Sequence, residues 1–279
     1  MKYLTILLLL SLTIGFSQVK TPQPSPSAKI TQTVGLTEFT IDYSRPAMRG
    51  RTIMGELVPF GEIWRAGANN NTKISFSDPI TIGGTEIAPS NYALYIRPTE
   101  KVWEIFFYTK TDNWGVPKEW SDENVAAHFE FPVIELAEEV TSFTIAISNL
   151  SNNGGSLEVS WEKSKVTIPF EVPTVKNTIA SIKETLSGAP KAGDYYSSAV
   201  YYLMEGQDLN QAKTWISKAI AMQDDKYYMY RQQSLILFKL NEIDAAITAA
   251  KKSLELAEIA KNPDYVRFNK QAIKEWSAL

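Results

Sequence analysis

The sequence contains no cysteine and only one histidine, and these two scarcities exclude several kinds of site. A chain without cysteine forms no disulfide and offers no thiolate to a metal ion, and His128 alone cannot supply a cluster of imidazole ligands. A serine–histidine–acid triad is also disfavoured, because no G-x-S-x-G motif occurs and the alternation around His128 places it on the solvent face of a strand. We therefore expect neither a metal site nor a cofactor.

The sequence also lacks a strong charge of either sign and has a single long apolar run. Its 28 basic and 31 acidic residues give a net charge of −3 without a basic cluster, so we expect no nucleic-acid partner. The apolar run, residues 4–14, ends before Gly15 and Ser17, which is the pattern of a secretory signal peptide cleaved before Gln18. We predict a signal peptide over residues 1–17 and an exported bacterial protein, periplasmic or extracellular, with no membrane span after signal removal. An uncleaved anchor is the alternative.

The part of the chain that follows is rich in turn residues. Residues 18–28 are dominated by proline and serine and predict an extended linker. From 29 to 173, about nine short stretches alternate apolar and polar residues, as Phe39 and Ile41 do, and glycine, proline or asparagine separates them. This pattern predicts an antiparallel β-sandwich or jelly-roll-like domain over residues 29–173.

Glycine and proline nearly vanish after residue 173, and the apolar positions take a helical period. The informative feature is a self-match at an offset of 34 residues, which aligns Leu203 with Leu237 and Ala212 with Ala246. Because tetratricopeptide repeats have this period, residues 174–279 resemble a small tetratricopeptide-like helical module. The resemblance predicts a helix near 174–187, two helix pairs at 193–222 and 227–256, and a closing helix begun by Asn262 and Pro263.

Arginine is concentrated in one segment, residues 44–72, which is also rich in glycine and asparagine. Arg49 and Arg51 flank Gly50, so in an extended segment their guanidinium groups would point to one side and grip one carboxylate, sulfate or phosphate together. The alternative is structural, since such arginines also bind loop carbonyls or nearby carboxylates. Four of the seven arginines lie in the segment, namely Arg45, Arg49, Arg51 and Arg65. The acids close to them in sequence are Asp42, Glu56 and Glu62.

Tryptophan provides the second set of candidates. Trp103 and Trp161 lie in predicted strands and are expected in the core. Trp114 and Trp120 lie in the polar segment 109–124, which is long for a hairpin loop, and long ordered loops often carry function. An exposed tryptophan can also stack on a sugar ring. We therefore expect a small anionic or carbohydrate ligand at a site drawn from Arg45, Arg49, Arg51, Trp64, Arg65, Asn69 and Trp114.

Four short motifs mark the β-rich part of the chain. The most specific is Trp-Arg-x-Gly-Ala-Asn at residues 64–69, preceded by Tyr-Ser-Arg-Pro at 43–46 and followed by Asn-Trp-Gly at 113–115 and Trp-Glu at 161–162. Together they resemble the bacterial family known as domain of unknown function 2911, over roughly residues 30–170. The resemblance implies an exported protein with a β-rich domain and no established activity.

These observations lead to one functional expectation and two alternatives. We expect a non-catalytic binding protein of the cell envelope, whose sandwich binds the small ligand and whose helical module docks a peptide or protein partner. The first alternative is an envelope hydrolase acting on a glycan or peptide, which requires two facing carboxylates about 5–10 Å apart in a cleft. The second is a structural scaffold, in which every arginine of residues 44–72 is paired inside the protein.

Overall fold

The computed structural model describes residues 21–279 and divides the chain into two compact units. The first, the sheet unit, ends at Val172, and the second, the helical unit, spans Pro173–Leu279. The predicted signal peptide at residues 1–17 and the first residues of the predicted linker lie outside the described residues.

The described part of the sheet unit forms ten strands in two antiparallel sheets. In chain order the strands are β1 Ser27–Val34, β2 Thr37–Ser44, β3 Thr72–Phe76, β4 Ile80–Ile82, β5 Thr85–Ile87, β6 Asn91–Pro98, β7 Val102–Tyr108, β8 Val125–Pro132, β9 Ile134–Ser151 and β10 Gly154–Glu171. The larger sheet has the strand order β1-β2-β3-β6-β7-β8, and the smaller one has the order β5-β4-β10-β9.

Alternation along the strands explains how the two sheets share a core. Every second residue of β2 is buried, because successive side chains of a strand point to opposite faces and one face is apolar. Rings from both sheets meet between them, and the ring centroids of Phe39 in β2 and Phe170 in β10 lie 4.7 Å apart. Trp103 and Trp161 are among the largest fully buried side chains, which confirms the core position predicted for both.

The longest strands, β9 and β10, have 18 residues each and form one hairpin. The sequence predicted about nine short strands over residues 29–173 and none of this length. The strands remain continuous because register shifts on both sides of Glu162 bend the hairpin without ending it. Glu162 has a φ of 55°, which is uncommon for a residue with a side chain, so local contacts must hold it in this conformation.

Strand β1 begins earlier than the sequence predicted. Ser27 and Ala28 fall in the predicted linker, yet they pair with Ser44 and Tyr43 of β2. The hydrogen bonds offered by the neighbouring strand outweigh the weak strand preference of a segment rich in serine and proline. The start of the sheet therefore depended on a pairing partner that the local composition did not reveal.

Six α-helices make up the helical unit, and they are α1 Thr174–Ser187, α2 Ala192–Met204, α3 Leu209–Met222, α4 Tyr227–Lys239, α5 Ile243–Ile259 and α6 Pro263–Trp276. Two of them begin at side-chain caps of the expected kind. Asp208 accepts hydrogen bonds from the backbone N–H groups of Asn210 and Gln211, and Asn262 accepts one from that of Tyr265. The predicted fold class, an antiparallel β-rich domain followed by an all-helical part, is confirmed.

Small residues are fully buried at repeated positions of the helical unit. Ala212 of α3 and Ala246 of α5, which the 34-residue offset aligns, are both fully buried. Ala219 and its counterpart Ser253 are also fully buried. Side chains of this size allow two helix backbones to approach. Across the described residues, no helix combines the length and the apolar character needed to cross a lipid bilayer.

Candidate functional site

Arg49 and Arg51 bind backbone carbonyls of their own part of the chain. The Nε and Nη2 atoms of Arg51 donate to the carbonyl oxygens of Met48 and Ala47, at 2.9 and 2.8 Å. The Nη2 atom of Arg49 donates to the carbonyl oxygen of Pro24 at 2.7 Å. Arginine is well suited to such work because its planar guanidinium presents several fixed donors.

Arg45 connects the arginine-rich segment to a strand far away in sequence. Its Nε atom donates to the carbonyl oxygen of Phe143 at 3.1 Å, and its Nη2 atom donates to Oγ1 of Thr144 at 2.7 Å. Both partners belong to β9 of the smaller sheet, whereas Arg45 directly follows β2 of the larger one. Arg45 therefore links the two sheets.

The geometry around Gly50 differs from the extended segment that the sequence suggested. Arg49 and Gly50 form a turn with φ angles of 50° and 73°. Because of this turn, the guanidinium groups of Arg49 and Arg51 reach different carbonyls rather than one shared acceptor. The structure does not bring these two arginines together as a joint anion grip. Asp42 is one of the acids close in sequence, and its Oδ2 atom instead lies 3.9 Å from Nζ of Lys29.

Trp64 and Asn69 hold the same segment in place. The ring of Trp64 stacks on that of Trp161 with centroids 5.8 Å apart, and its Nε1 donates to the carbonyl oxygen of Gly67 at 3.2 Å. Asn69 has a φ of 60°, and its Nδ2 donates to Oγ of Ser44 at 3.2 Å. Both side chains are thus engaged within the protein.

Arg65 differs from the other three arginines of the segment. It is partly buried, its Nε atom is inaccessible to solvent, and no described residue accepts a hydrogen bond from its guanidinium. Burial lowers the pKa of the Arg65 guanidinium, and Tyr95 acts in the opposite direction. A Cβ atom on Gly115 would stand 3.2 Å from Nη1 of Arg65, so glycine allows the loop to pass this closely. A charged group with five donors and no acceptor is costly to bury.

Three polar side chains form a hydrogen-bonded network at the same place. The Nδ2 atom of Asn113 donates to Oη of Tyr95 at 2.9 Å and to the carbonyl oxygen of Gly115 at 2.7 Å. The Nδ2 atom of Asn71 donates to Oδ1 of Asn113 at 3.0 Å. Asn71 is only 3% exposed, and its Oδ1 has no donor among the described residues. A free acceptor on Asn71 and free donors on Arg65 are what a polar ligand could satisfy.

The loop that carries Asn113 also presents an exposed aromatic side chain. Trp114 is 70% exposed, and its backbone forms a bridge with that of Asn70. Trp120, the other tryptophan of this loop, instead stacks on Tyr108 with centroids 4.6 Å apart and donates its Nε1 to Asp122. Of the two, Trp114 is the one available to contact a ligand.

A cavity of about 290 Å³ opens beside Asn71. Most of the residues that line it have polar side chains, and they include one carboxylate, that of Asp42, and one amine, that of Lys73. This volume lies at the small end of the range for ligand sites, which favours a small polar molecule. The lining residues are Ser27, Ala28, Asp42, Tyr43, Ser44, Asn70, Asn71 and Lys73.

A second polar cluster lies on β7 and β8. Glu104, His128 and Glu130 each place one metal-ligating atom within 4.8 Å of the others. The scarcity of histidine excludes a site with several imidazole ligands, but it does not exclude one histidine combined with two carboxylates. The Nη1 atom of Arg97 donates to both carboxylate oxygens of Glu104, at 3.2 and 3.0 Å, and Nε2 of His128 lies 3.0 Å from the same carboxylate. His128 is exposed, as the alternation predicted, and stacks on Phe106. Since Arg97 already binds Glu104, we interpret the cluster as an ion-pair network.

The sequence drew attention to Arg65 and Trp114 but not to Asn71, Tyr95 and Asn113, which the structure places beside them. Two signals were present, namely the run of three asparagines at residues 69–71 and the Asn-Trp-Gly motif. Tyr95 gave no signal, because it lies within a nearly continuous buried run in β6 and its hydroxyl partners come from a distant loop.

The chain was also compared with known proteins. The model of a family described as "Protein of unknown function (DUF2911)" matches residues 25–170, which contain all four motifs noted in the sequence. None of the curated proteins compared with the chain matches it. The family match covers more than half of the chain and most of the sheet unit. The chain therefore belongs to the DUF2911 family.

Proposed function

We propose that the protein is an exported, non-catalytic binding protein of the cell envelope, periplasmic or extracellular. Its sheet unit binds a small ligand that is anionic or a carbohydrate, and an acidic sugar has both properties. The binding site consists of Arg65, Asn71, Asn113 and Trp114. Export rests on the signal-peptide pattern of residues 1–17.

The observation that carries the proposal is the guanidinium of Arg65. Arg45 and Arg51 use their donors on internal acceptors, whereas Arg65 is partly buried and has no acceptor among residues 21–279. Pairing with a carboxylate or phosphate would supply two parallel charge-assisted hydrogen bonds, the strongest kind that arginine makes. An anion at this position would therefore offset the cost of a partly buried cation that lacks an acceptor in the described part of the chain.

The groups around Arg65 support a sugar that carries the anion. Trp114 offers an exposed indole face, and Asn71 offers a buried amide oxygen without a donor. An aromatic face can pack on the apolar side of a sugar ring, while an amide oxygen accepts a hydrogen bond from a hydroxyl group. A simple inorganic anion would use Arg65 and leave both of these groups unused.

The two alternative functions have less support. A glycan hydrolase needs two carboxylates, and the cavity beside Asn71 is lined by one, Asp42. A scaffold needs every arginine of residues 44–72 to be paired internally, and Arg65 has no acceptor among the described residues.

For the helical unit we propose a tetratricopeptide-like module that docks a peptide or protein partner. The successive helix pairs α2–α3 and α4–α5 and the 34-residue offset between them support this proposal. Two such pairs offer a short groove, which suits a peptide segment better than a large globular surface.

Isothermal titration with D-glucuronate, D-glucose and sulfate tests the sheet-unit site. We expect glucuronate to bind more tightly than glucose or sulfate, and Arg65→Gln and Trp114→Ala each to weaken its binding by about tenfold or more. Arg49→Gln is the matched control, because Arg49 belongs to the same segment but is exposed and bound to a carbonyl. N-terminal sequencing of protein recovered from the periplasm tests export, with Gln18 as the expected first residue.

The result that would overturn the ligand proposal is equal binding of glucuronate by the parent protein and both site variants, or no binding of any of the three probes. Sulfate binding that depends on Arg65 but not on Trp114 would restrict the ligand to a simple anion. Thermal unfolding of each variant shows whether a loss of binding reflects a loss of fold.

A further inference from the structure

The helical unit contains its own unpaired guanidinium, that of Arg231 in α4. Arg231 is partly buried, its Nη1 atom is inaccessible to solvent, and no described residue accepts a hydrogen bond from the guanidinium. Burial lowers the pKa of the Arg231 guanidinium, and Tyr265 of α6 acts in the opposite direction. Arg267 shows the usual contrast, because it is exposed and pairs with Asp264 at 2.9 Å.

The side chain of Arg231 contacts an aromatic ring and has no hydrogen-bond acceptor among the residues that the structure describes. Its guanidinium carbon lies 6.0 Å from the ring centroid of Trp276, and Trp276 in turn stacks on Phe238 with centroids 4.5 Å apart. An aromatic ring attracts a cation through its electron-rich face but does not replace a carbonyl or carboxylate as an acceptor for N–H groups. The ring contact therefore holds the side chain in place while its hydrogen-bonding capacity stays free.

Tyrosine rings from three helices pack against one another, and two of them, Tyr227 and Tyr228, precede Arg231 by one turn of α4. Tyr196 of α2 and Tyr228 of α4 have ring centroids 5.1 Å apart, and Tyr227 of α4 and Tyr265 of α6 have centroids 4.7 Å apart. Tyr227 and Tyr228 join the two pairs, with centroids 5.6 Å apart. Burial raises the pKa of Tyr196, and both Tyr265 and Tyr228 add to that shift, which is consistent with the rings converging.

Such a surface has the properties of a peptide-binding face. Tyrosine provides a large contact area, loses little conformational freedom on binding and keeps a hydroxyl for hydrogen bonds. The rings are only partly buried, so they remain open to contact. The charge of the occupant follows from Arg231, because an unpaired and desolvated guanidinium favours a carboxylate over a neutral or basic group.

We propose that the face formed by Tyr196, Tyr228, Arg231 and Tyr265 binds a peptide segment of a partner protein, with an aspartate or glutamate of that segment paired to Arg231. The proposal rests on the docking role proposed for the helical unit and does not depend on the ligand site in the sheet unit. It adds the chemistry of the partner, which is acidic at one position.

Selection of random heptapeptides displayed on phage against the whole protein tests the proposal. We expect the selected peptides to share an aspartate or glutamate at one position. A selected peptide is then synthesised together with its asparagine or glutamine counterpart, and we expect the uncharged counterpart to bind about tenfold more weakly or worse. Arg231→Gln should cause a similar loss for the acidic peptide, whereas the matched control Arg267→Gln should leave its affinity unchanged.

Each outcome of this experiment decides something. Selected peptides without an acid, or equal affinity for the acidic peptide and its amide counterpart, would overturn the role of Arg231 while the docking proposal stands. The absence of any selected peptide would overturn both. If Arg231→Gln lowers the thermal midpoint by several degrees, its binding result could reflect a loss of fold. The affinities of the parent protein for the acidic peptide and its amide counterpart then decide whether the acid is recognised.

Discussion

The carboxylate of Glu162 accepts a hydrogen bond from the backbone N–H of Ile53 at 3.2 Å, although 109 positions separate the two residues. The neighbouring oxygen of the same carboxylate accepts one from the N–H of Met54 at 3.0 Å. The bulge in β10, where Glu162 has a positive φ, places the side chain in this position. The Trp-Glu motif thus joins two functions, since Trp161 fills the core and Glu162 anchors the arginine-rich segment.

Replacing Glu162 with alanine should destabilise the sheet unit. The substitution leaves two backbone N–H groups without acceptors, which costs about 1–3 kcal/mol. At this chain length the thermal midpoint should fall by roughly 2–4 °C for each kcal/mol. Glu158→Ala is the matched control, because Glu158 lies on the same strand but only faces Lys165 at 3.5 Å. Equal midpoints for the two variants, measured by circular dichroism, would contradict the anchoring role.

Arg45 and Arg65 should respond in opposite ways to truncation. Arg45→Ala removes two donors from acceptors in β9 and should lower the thermal midpoint by several degrees, following the same cost of about 1–3 kcal/mol. Arg65→Ala removes a partly buried cation for which the described residues offer no acceptor, so the midpoint should stay the same or rise.

The outcome for Arg65 separates two roles. A fall in the midpoint of Arg65→Ala as large as that of Arg45→Ala would identify Arg65 as a structural clamp and remove the basis of the ligand site. A rise in the thermal midpoint on adding glucuronate, seen only in proteins that retain Arg65, would connect Arg65 to ligand binding.

Local patterns predicted most of the architecture because they report local causes. The alternation of β2 and the helix start at Asn262 depend on residues close in sequence, and the structure contains both. The 34-residue offset placed the buried pair Ala212 and Ala246 correctly, since repeated crossings need repeated small residues.

The candidate site could be predicted only in part because its contacts are not local. Composition drew attention to Arg45 and Arg65 equally, yet the acceptors that distinguish them lie in β9, about 98 positions from Arg45. The buried amide of Asn71 and its partner Asn113 are 42 positions apart. No spacing rule in one sequence tells which asparagine of three will be buried and which will be exposed.

In the ion-pair network on β7 and β8, Glu104 and Glu130 should contribute differently to stability. Glu104 and Glu130 face each other across the two strands, and like charges in such a pair are destabilising. Glu104 is compensated by Arg97, which donates to both of its carboxylate oxygens, so Glu104→Gln should lower the free energy of unfolding by about 1–2 kcal/mol. Glu130→Gln removes the repulsion and should leave stability unchanged or raise it. Urea unfolding of both variants measures this, and a larger loss for Glu130→Gln would contradict it.

The sheet unit should lose part of its stability at alkaline pH because of Tyr92. Burial raises the pKa of the Tyr92 hydroxyl above its ordinary value of about 10, and this hydroxyl donates to the carbonyl oxygen of Ala88 at 2.8 Å. The folded state therefore holds the Tyr92 proton more tightly than the unfolded state does. The stabilisation from Tyr92 is complete below about pH 10 and is lost as the pH rises through the folded-state pKa.

Comparison with Tyr92→Phe isolates this contribution from the other tyrosines. The variant lacks both the hydrogen bond and the titrating group, so the parent should exceed it by about 0.5–1.5 kcal/mol near pH 8. Above pH 10 the difference should shrink, since only the parent loses a stabilising proton there. Free energies of unfolding in urea, measured for both proteins between pH 8 and 11, give the two curves. Curves that stay parallel over this range would show that the Tyr92 hydroxyl does not titrate differently in the folded and unfolded states.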